Sequence, residues 1–588
     1  MQLNSPVLTS NHKVPSSTID SLPGRKFMSV RNALVLFLAL STISLLVACG
    51  SSGPKIIPPP TGGFTTSSLS GTYVFSFSGT DISAANLNVG PSYFSVVGAL
   101  TASSGALTGT IDVVDPDLAA VLNLSSPVLT AQTLTGGSYS ITPDGRGSGT
   151  IRISPNGTNV EFGLDFVLMT PSHGLITRFD TNGTGSGTID LQDSTLTQSA
   201  LTSYSFSLSG WDQNSNPFGT AGNFSLGGST TISTGLQDFN DAGNPTTNLP
   251  LTGSLTLGAA GAAGSASLTA TGTPYGTLSF DVWPIDATHM KLIEVDGVEA
   301  IEGDAFTQQT TISSGQLVYT MAGLDEANTS VLYSGGFMTY TAPTTIASGY
   351  EDINDGGGIG SSLTVSGSLT ATGGGRYQLV LGGFYNNAVG TSTYEFAAYP
   401  TADGSILLME DDNAGVTTGT AFFQTAQTFA SAQGYGLNLT GGNFEAGGNS
   451  EGEVDDIAEF TATSGTVQNC SSGGTLSQGI IDENDEGSTG FKLPLGQGGV
   501  YCFDSTGSGR GELSYPATGT LIGTLNLDFY VANSSTILFI DADSGAQAGI
   551  GSFQLQNASA DPPELANTQS HASALKATAV ARARKRQK

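Results

Sequence analysis

The sequence predicts an all-β protein made of four tandem antiparallel β domains, and three observations support this class. Gly accounts for 80 of the 588 residues, and Ser, Thr and Asn are frequent between short apolar runs. Those runs alternate apolar and polar residues, as strands with one buried face do. A similar set of segments also recurs four times along the chain, and such repetition indicates repeated structural units.

The first 48 residues have the features of a signal peptide. Residues 33–48 form a largely apolar run of 16 residues, which is shorter than the roughly 20 residues of a membrane-spanning helix. Arg31 precedes this run and small residues end it, as in secretory signal peptides. We hypothesise that Met28 is the true start, because it gives the basic region an ordinary length.

The end of the apolar run, Leu46-Val47-Ala48-Cys49, resembles the lipobox of bacterial lipoproteins. The resemblance implies cleavage before Cys49, lipid on its thiol and anchoring at a membrane. Two or three acyl chains give the stable anchoring that one chain does not. A plain signal peptide with a chance cysteine is the alternative. We expect residues 49–66 to form a flexible tether, and Gly50 after the cysteine resembles the outer-membrane address of enteric lipoproteins.

Four copies of one unit follow the tether, and we assign them to residues 67–193, 194–309, 310–425 and 426–557. Each copy opens with three alternating apolar residues before a glycine, which places these side chains on one face of a strand. The opening residues are Tyr73, Phe75 and Phe77; Tyr204, Phe206 and Leu208; Leu317, Tyr319 and Met321; Tyr435, Leu437 and Leu439.

Each copy also closes alike. A glycine stands five residues before a glutamine, and these glutamines are Gln192, Gln308, Gln424 and Gln556. An apolar residue four ahead of an aspartate precedes this motif, and in the fourth copy we assign this pair to Ile537 and Asp541. Matches at both ends of all copies indicate one repeated design.

The copies are far longer than solenoid repeats of about 20–50 residues, so we expect four domains with separate cores, arranged like beads on a string. Copy two shows about eight consecutive strands with short turns. Closing them into a small up-and-down barrel removes exposed edges, and we favour barrels over two-sheet sandwiches. The body resembles Gly-rich β-repeat lipoproteins of environmental bacteria with no assigned activity, which implies location and architecture only.

An acidic segment, which we interpret as a loop, lies in the middle of each copy. Copies two to four combine aspartates with an asparagine, whereas copy one keeps only aspartates: Asp238, Asn240 and Asp241; Asp352, Asn354 and Asp355; Asp482, Asn484 and Asp485; Asp112 and Asp115. Clustered oxygens are calcium ligands, but Leu249 and Leu363 stand where the twelfth loop position requires a Glu. We therefore favour β-turns and expect no metal site and no cofactor.

Cys470 and Cys502 remain as a pair when Cys49 carries lipid. Disulfides persist in exported proteins, and the two residues flank the acidic segment of copy four. If that segment is a hairpin tip, the cysteines lie opposite each other at a separation that suits a disulfide. Two free thiols are the alternative.

The body is strongly acidic. The chain has 18 Lys and Arg against 48 Asp and Glu, a net charge of −30, and its cations are concentrated near the two ends. Such a body repels nucleic-acid phosphates, so we expect no nucleic-acid partner. Residues 558–588 form an Ala-rich basic tail that we expect to be disordered. Contact of this tail with lipid headgroups, cell-wall polymers or the acidic body is the alternative.

Catalytic residues are not evident. His173 and His289 are the two histidines of the body and belong to different copies. Trp211 and Trp283 are the tryptophans, for which a core role is simpler than stacking on a sugar.

Two glycine-rich runs, at Asp144–Gly147 and Gly507–Gly511, look like phosphate-binding loops. We favour hairpin turns, because no helix is expected after them.

We therefore expect a non-enzymatic lipoprotein with a structural, spacer or adhesive role at the cell envelope. Its expected partners are the membrane, through the lipid anchor, and a cell-envelope polymer or protein. The alternative is binding of a small ligand or carbohydrate in the mouths of the barrels, and an enzyme of unknown type is third.

Overall fold

The computed structural model describes residues 63–559, except for 85–91, 213, 298, 326–329, 385–391, 445–449, 521–522 and 544–546. The predicted signal peptide, the lipid site Cys49 and the basic tail beyond residue 559 lie outside the described residues.

Strands occupy most of the described chain. The first copy contains β1 (Gly71–Asp81), β2 (Ser92–Ser103), β3 (Ala106–Val114), helix α1 (Pro116–Leu122), β4 (Val128–Thr133), β5 (Gly136–Ile141), β6 (Arg146–Ile153), β7 (Val160–Thr170), β8 (His173–Asp180) and β9 (Gly183–Leu191). The second contains β10 (Ser203–Asp212), β11 (Pro217–Ser225), β12 (Thr231–Ile232), β13 (Thr234–Asp241), β14 (Asn244–Thr256), β15 (Gly264–Ala270), β16 (Thr277–Pro284), β17 (His289–Glu294) and β18 (Glu299–Thr307).

The third copy contains β19 (Gly315–Asp325), β20 (Ser330–Thr341), β21 (Thr345–Asp355), β22 (Gly358–Gly373), β23 (Arg376–Phe384), β24 (Ser392–Pro400), β25 (Ser405–Glu410) and β26 (Gly415–Phe423). The fourth contains β27 (Gln433–Phe444), β28 (Ser450–Ser464), β29 (Ser472–Asp485), β30 (Ser488–Pro494), β31 (Gly499–Phe503), β32 (Arg510–Pro516), β33 (Thr524–Val531), β34 (Thr536–Asp541) and β35 (Gln547–Leu555).

Each copy closes into an up-and-down barrel of eight antiparallel strands, which confirms the predicted fold class. The first and last strands of every copy pair with each other, so the meander has no open edge within the barrel. The short strands β4, β12 and β30 pair outside the closed sheets. We call these units barrels 1 to 4 in chain order.

Large apolar side chains fill the interior of each barrel. In barrel 1 the predicted opening residues Tyr73, Phe75 and Phe77 are buried in one cluster with aliphatic residues from the other strands. The equivalent opening residues of the other three barrels lie in the matching clusters. The structure therefore confirms the inward-facing side of the first strand that the alternation predicted.

The barrels are packed against one another, so the interpretation as separate beads is wrong. Five apolar clusters link the barrels: two join barrels 1 and 2, a larger one spans barrels 2, 3 and 4, another joins barrels 3 and 4, and the last joins barrels 4 and 1. In the closing junction, a Cβ added to Gly436 of barrel 4 would lie 2.1 Å from Met169 Cε of barrel 1. The four barrels thus form a closed ring in the order 1-2-3-4-1.

One predicted alignment is wrong by two residues. Asp180, Asp296 and Asp412 each accept a hydrogen bond through Oδ2 from the backbone N–H seventeen residues earlier. In the fourth copy the residue in this role is Asp543, with a bond from the Asn526 N–H of 3.1 Å, and not Asp541. The equivalent pair is therefore Phe539 and Asp543.

Candidate ligand cavity between the barrels

The acidic segments are mainly strand rather than loop, which corrects the sequence interpretation. Asp238 and Asn240 lie within β13, the third strand of the barrel 2 sheet, and only Asp241 reaches the turn. The same placement holds for the equivalent residues of β21 and β29. These polar side chains lie on a strand because they face the next barrel, whose residues are their hydrogen-bond partners.

The asparagine of this motif forms hydrogen bonds across three junctions, from barrel 2 to 3, from 3 to 4 and from 4 to 1. Its side-chain N–H group donates to two backbone carbonyls of the next barrel, on either side of the turn before that barrel's last strand. Asn240 Nδ2 bonds Glu410 O and Gly415 O at 2.9 Å each. Asn354 Nδ2 bonds Asp541 O and Gln547 O at 3.0 Å each. Asn484 repeats this contact from barrel 4 to barrel 1, and so closes the ring.

The preceding aspartate forms an ion pair across the same junction. Asp238 accepts hydrogen bonds from Arg376 Nε at 2.8 Å and from the Tyr399 hydroxyl. Asp352 is held in the same way by Arg510, with an Nε–Oδ2 distance of 2.6 Å, and by Tyr530.

At the closing junction Arg146 Nη1 lies 3.2 Å from Asp482 Oδ2. Arg146 and Arg510 begin strands after hairpin turns, as predicted for the two glycine-rich runs. Their guanidinium groups are engaged by carboxylates of a neighbouring barrel, so they form structural ion pairs.

The junction between barrels 1 and 2 departs from this pattern. Val114 stands at the asparagine position and packs in the apolar cluster of this junction. Trp283 Nε1 donates to Asp112 Oδ2 at 2.7 Å, and Ala263 packs against the cluster that contains Trp283. At the next two junctions an arginine and a tyrosine hold the equivalent aspartate instead. Burial, together with the nearby carboxyl group of Asp281, raises the pKa of Asp112 to about 7. The sequence already indicates that this junction differs, because copy one lacks the asparagine of the acidic segment.

The closing glutamines also cross the junctions. Gln192 Nε2 donates to Pro284 O of barrel 2 at 2.7 Å, and Gln424 Nε2 donates to Ser508 O of barrel 4 at 2.7 Å. Gln556 Nε2 donates to Asp144 O of barrel 1 at 2.7 Å. Three of the four closing glutamines therefore fix the position of the following barrel, whereas the Nε2 of Gln308 is buried without a hydrogen-bond partner among the described residues.

A cavity of about 580 Å³ lies where the four barrels meet. Each barrel contributes the turn between the sixth and seventh strands of its closed sheet, represented by Ser172, Asp286, Asp403 and Asn533. A side-chain oxygen holds each turn by accepting backbone N–H bonds: Thr170 Oγ1, Asp286 Oδ1, Asp403 Oδ1 and Asn533 Oδ1. The walls are therefore four versions of one element, and the site exists only in the assembled ring.

The structure brings His173 and His289 to the wall of this one cavity, although they lie in different copies. Each begins the seventh strand of its barrel. His173 Nδ1 lies 2.6 Å from Asp190 Oδ1, and its Nε2 lies 3.1 Å from Gln554 Oε1. Sequence reasoning missed this convergence, because nothing in one repeat shows that four repeats close into a ring.

Buried ionisable groups continue inward from His289. Its Nε2 lies 2.8 Å from Asp304 Oδ1, and Lys291 Nζ donates to the same oxygen at 3.0 Å. Burial alone would lower the pKa of Lys291, but the carboxylate of Asp304 and its acidic neighbours raise it above the ordinary value. Burial also raises the pKa of Glu302 to about 8. Asp304, Lys291 and Glu302 thus form a buried polar network behind His289, outside the lining of the cavity.

Both tryptophans are buried between barrels 1 and 2. Trp211 stacks on Tyr93 with ring centroids 6.1 Å apart, and Trp283 donates to Asp112 as described above. Neither side chain lines the cavity, so their contacts are those of a core.

Cys470 and Cys502 lie together with Cα atoms 5.7 Å apart, a separation that suits the predicted disulfide. Cys502 is in β31, which pairs with the start of β29, and Cys470 precedes β29. The contact therefore lies at the start of β29, whereas the acidic residues are at its end. The chemical state of the two thiols stays a prediction.

Among the described residues, no helix has the length and the apolar character that a membrane crossing requires. Within the same residues, no group of three or more His, Cys, Asp or Glu side chains is arranged to hold a metal ion. The aspartates of the third strands have the structural partners given above.

Comparison with known proteins gives only distant likenesses. No protein family and no curated protein matches the chain. Among solved structures, transferrin binding protein B from Neisseria meningitidis is 10% identical, with a TM-score of 0.18 over 66% of this chain and 84% of that one. A double mutant of that protein from Haemophilus parasuis is 8% identical, with a TM-score of 0.17 over 65% and 83%. The protein CghA is 9% identical, with a TM-score of 0.16 over 63% and 99%. At these TM-scores we carry no function over.

Proposed function

We propose that this chain is a lipid-anchored protein of the cell envelope that binds a small ligand in the cavity of its four-barrel ring without converting it. The sequence around Cys49 supports the anchor. The cavity supports the binding role, because its volume of about 580 Å³ falls within the range of small-molecule pockets.

One observation carries the proposal: all four barrels supply the same turn to one cavity. Large side chains fill each barrel interior, so we place the ligand between the barrels instead of in the barrel mouths. Cross-barrel hydrogen bonds hold the walls at fixed positions, and a preformed site loses little conformational entropy on binding.

Binding without turnover fits the groups in the wall. The two nitrogens of His173 face a carboxylate and an amide oxygen, and neither partner is a nucleophile poised for general-base activation. The imidazole is therefore assigned to hold the wall of the cavity.

The test uses the full chain and a variant that fills the cavity. Ser535 lies in the turn of barrel 4 and lines the cavity, so Ser535→Trp should block it. We expect a ligand found by thermal-shift screening to raise the melting temperature of the unaltered protein and not that of the variant. A ligand that stabilises both proteins equally would contradict binding in this cavity.

A structural, spacer or adhesive role is the second candidate. The ring with filled barrels and ion pairs between neighbours favours it, because such an assembly holds a fixed shape. In this case no small ligand would stabilise the protein, and envelope polymers would bind with equal affinity to the protein and to Ser535→Trp.

The anchor is tested separately. We expect Cys49→Ser to abolish incorporation of a clickable palmitate analogue and to release the protein from the membrane fraction. Outer-membrane location, with a periplasmic or surface face, is checked by density-gradient fractionation of the unaltered protein.

A further inference from the structure

We propose that the cavity ligand is an uncharged, hydroxyl-rich molecule of the size of a short oligosaccharide, an inference that rests on the proposed function above. The argument uses the charge of the cavity wall, its hydrogen-bonding groups and its apolar surface in turn.

The charge of the wall excludes anions. Among the described residues that line the cavity none is Lys or Arg, whereas Asp190, Asp286 and Asp403 are carboxylic acids. The nearby Lys291 ammonium is fully buried and bonded to Asp304. A phosphate or carboxylate ligand would therefore meet acidic groups without the fixed cation that recognises such anions.

The hydrogen-bonding groups of the wall include both donors and acceptors. Asp403 uses Oδ1 to hold its own turn, and its Oδ2 has no hydrogen-bond partner among the described residues. Asn533 likewise uses Oδ1 for its turn, which leaves its Nδ2 donor without a partner in the same set. A hydroxyl group donates and accepts, so a polyol satisfies both kinds of group. A small organic cation has no acceptor to offer the Asn533 amide donor, which it would leave unpaired.

Apolar surface accompanies these polar groups. Phe422 and Phe423 line the cavity from barrel 3, and Leu191 and Leu555 line it from barrels 1 and 4. Leu191 is 39% exposed, so it presents apolar surface that a ligand can cover. Such surface matches the C–H faces of a sugar ring, because ligand pockets combine apolar walls with a few polar groups that fix orientation.

The experiment is isothermal titration of the full chain with neutral, cationic and anionic probes: cellotriose, maltotriose and chitotriose; spermidine; inorganic phosphate and citrate. We expect at least one neutral trisaccharide to bind and the charged probes not to bind. Asp403→Asn converts one wall acceptor to a donor and should weaken saccharide binding about tenfold, the equivalent of one hydrogen bond.

The matched control is Asp504→Asn, because Asp504 also holds a hairpin turn through its Oδ1 and does not line the cavity. Its saccharide affinity should equal that of the unaltered protein. Ser535→Trp should abolish binding, and Thr425→Trp replaces it if the first variant does not fold.

The outcomes separate the two proposals. Binding of spermidine, phosphate or citrate that Ser535→Trp abolishes, with no saccharide bound, overturns the saccharide inference and keeps the cavity as a site. Saccharide binding that neither tryptophan variant reduces overturns the cavity assignment. Absence of binding by every probe overturns the saccharide inference, and failure of the thermal-shift screen as well overturns the proposed function.

Discussion

One side-chain amide group connects a β-turn of its own barrel to a β-turn of the next barrel at three positions, Asn240, Asn354 and Asn484. The side-chain oxygen accepts from a glycine N–H in the residue's own turn, at 3.0, 3.0 and 2.9 Å, and the nitrogen donates to carbonyls of the next barrel. An aspartate would lack the donor, and a leucine would leave buried carbonyls unpaired. Both ends of the amide are therefore needed.

We predict that Asn484→Ala lowers the free energy of unfolding by about 1–3 kcal/mol, because it leaves carbonyls of Arg178 and Gly183 without their donor. Chemical denaturation measures the change. Asn159→Ala, at an exposed loop position, is the control and should alter the value by less than about 0.5 kcal/mol. Equal effects of the two substitutions would contradict a bridging role for Asn484.

Two equivalent aspartates give opposite predictions. Burial raises the pKa of the Asp112 and Asp482 carboxyl groups, but no arginine is bonded to Asp112 among the described residues. Asp112→Asn should therefore stabilise the protein at pH 8, where ionisation of the buried carboxyl group costs free energy. Asp482→Asn leaves Arg146 buried with one partner fewer and should destabilise by about 3 kcal/mol. Thermal unfolding at pH 8 compares them, and a loss of stability in both variants would refute the difference between the junctions.

At the scale of the strands, the sequence predicted most of what the structure contains. Alternation identifies the strands and their inner faces, because both depend on side chains within one barrel. The sequence alone predicts loops for the acidic segments, because it does not show which residues bind Asp238 and Asn240. Their partners lie in another repeat, more than one hundred residues away. The cavity could not be predicted for the same reason: each wall is an ordinary hairpin turn until four of them meet.

The contact between Cys470 and Cys502 joins the start of β29 to β31. We predict that alkylation without a reductant leaves the mass of these two residues unchanged, and that alkylation after reduction labels both. Peptide mass spectrometry makes the measurement. Two labels on the unreduced protein would show free thiols and contradict the disulfide.

At the scale of the whole molecule, buried acids make the ring sensitive to pH. Burial raises the pKa of Asp165 and Glu302 to about 8 and that of Glu459 to about 9. In the unfolded chain these groups lose their protons near pH 4. Between that value and the raised pKa values only the folded state keeps the protons, so its stability falls as the pH rises.

We therefore predict a lower melting temperature at pH 8.5 than at pH 5.5, measured by calorimetry at constant ionic strength. Glu302→Gln should reduce this difference, since an amide does not ionise. Glu161→Gln is the control, because Glu161 is exposed and paired with Arg152 at the surface. A melting temperature that rises between pH 5.5 and 8.5 would contradict the prediction.

All four junctions of the ring share one geometry, in which one side of a barrel meets the opposite side of the next, although the junction between barrels 1 and 2 lacks the asparagine contact. Barrel 3 carries both halves: Asp352 and Asn354 on one side, Arg376 and Tyr399 on the other. Contacts between two different surfaces of the same unit are heterologous, and they form a cyclic homotetramer when four units complete the ring. A single unit of this type therefore has the surfaces to assemble with three copies of itself. The chain is then equivalent to four tethered subunits. In a homotetramer one substitution alters all four interfaces, whereas in a single chain the residues of one interface can differ from those of the others. Barrel 1 can therefore lack the asparagine while the other three junctions keep it.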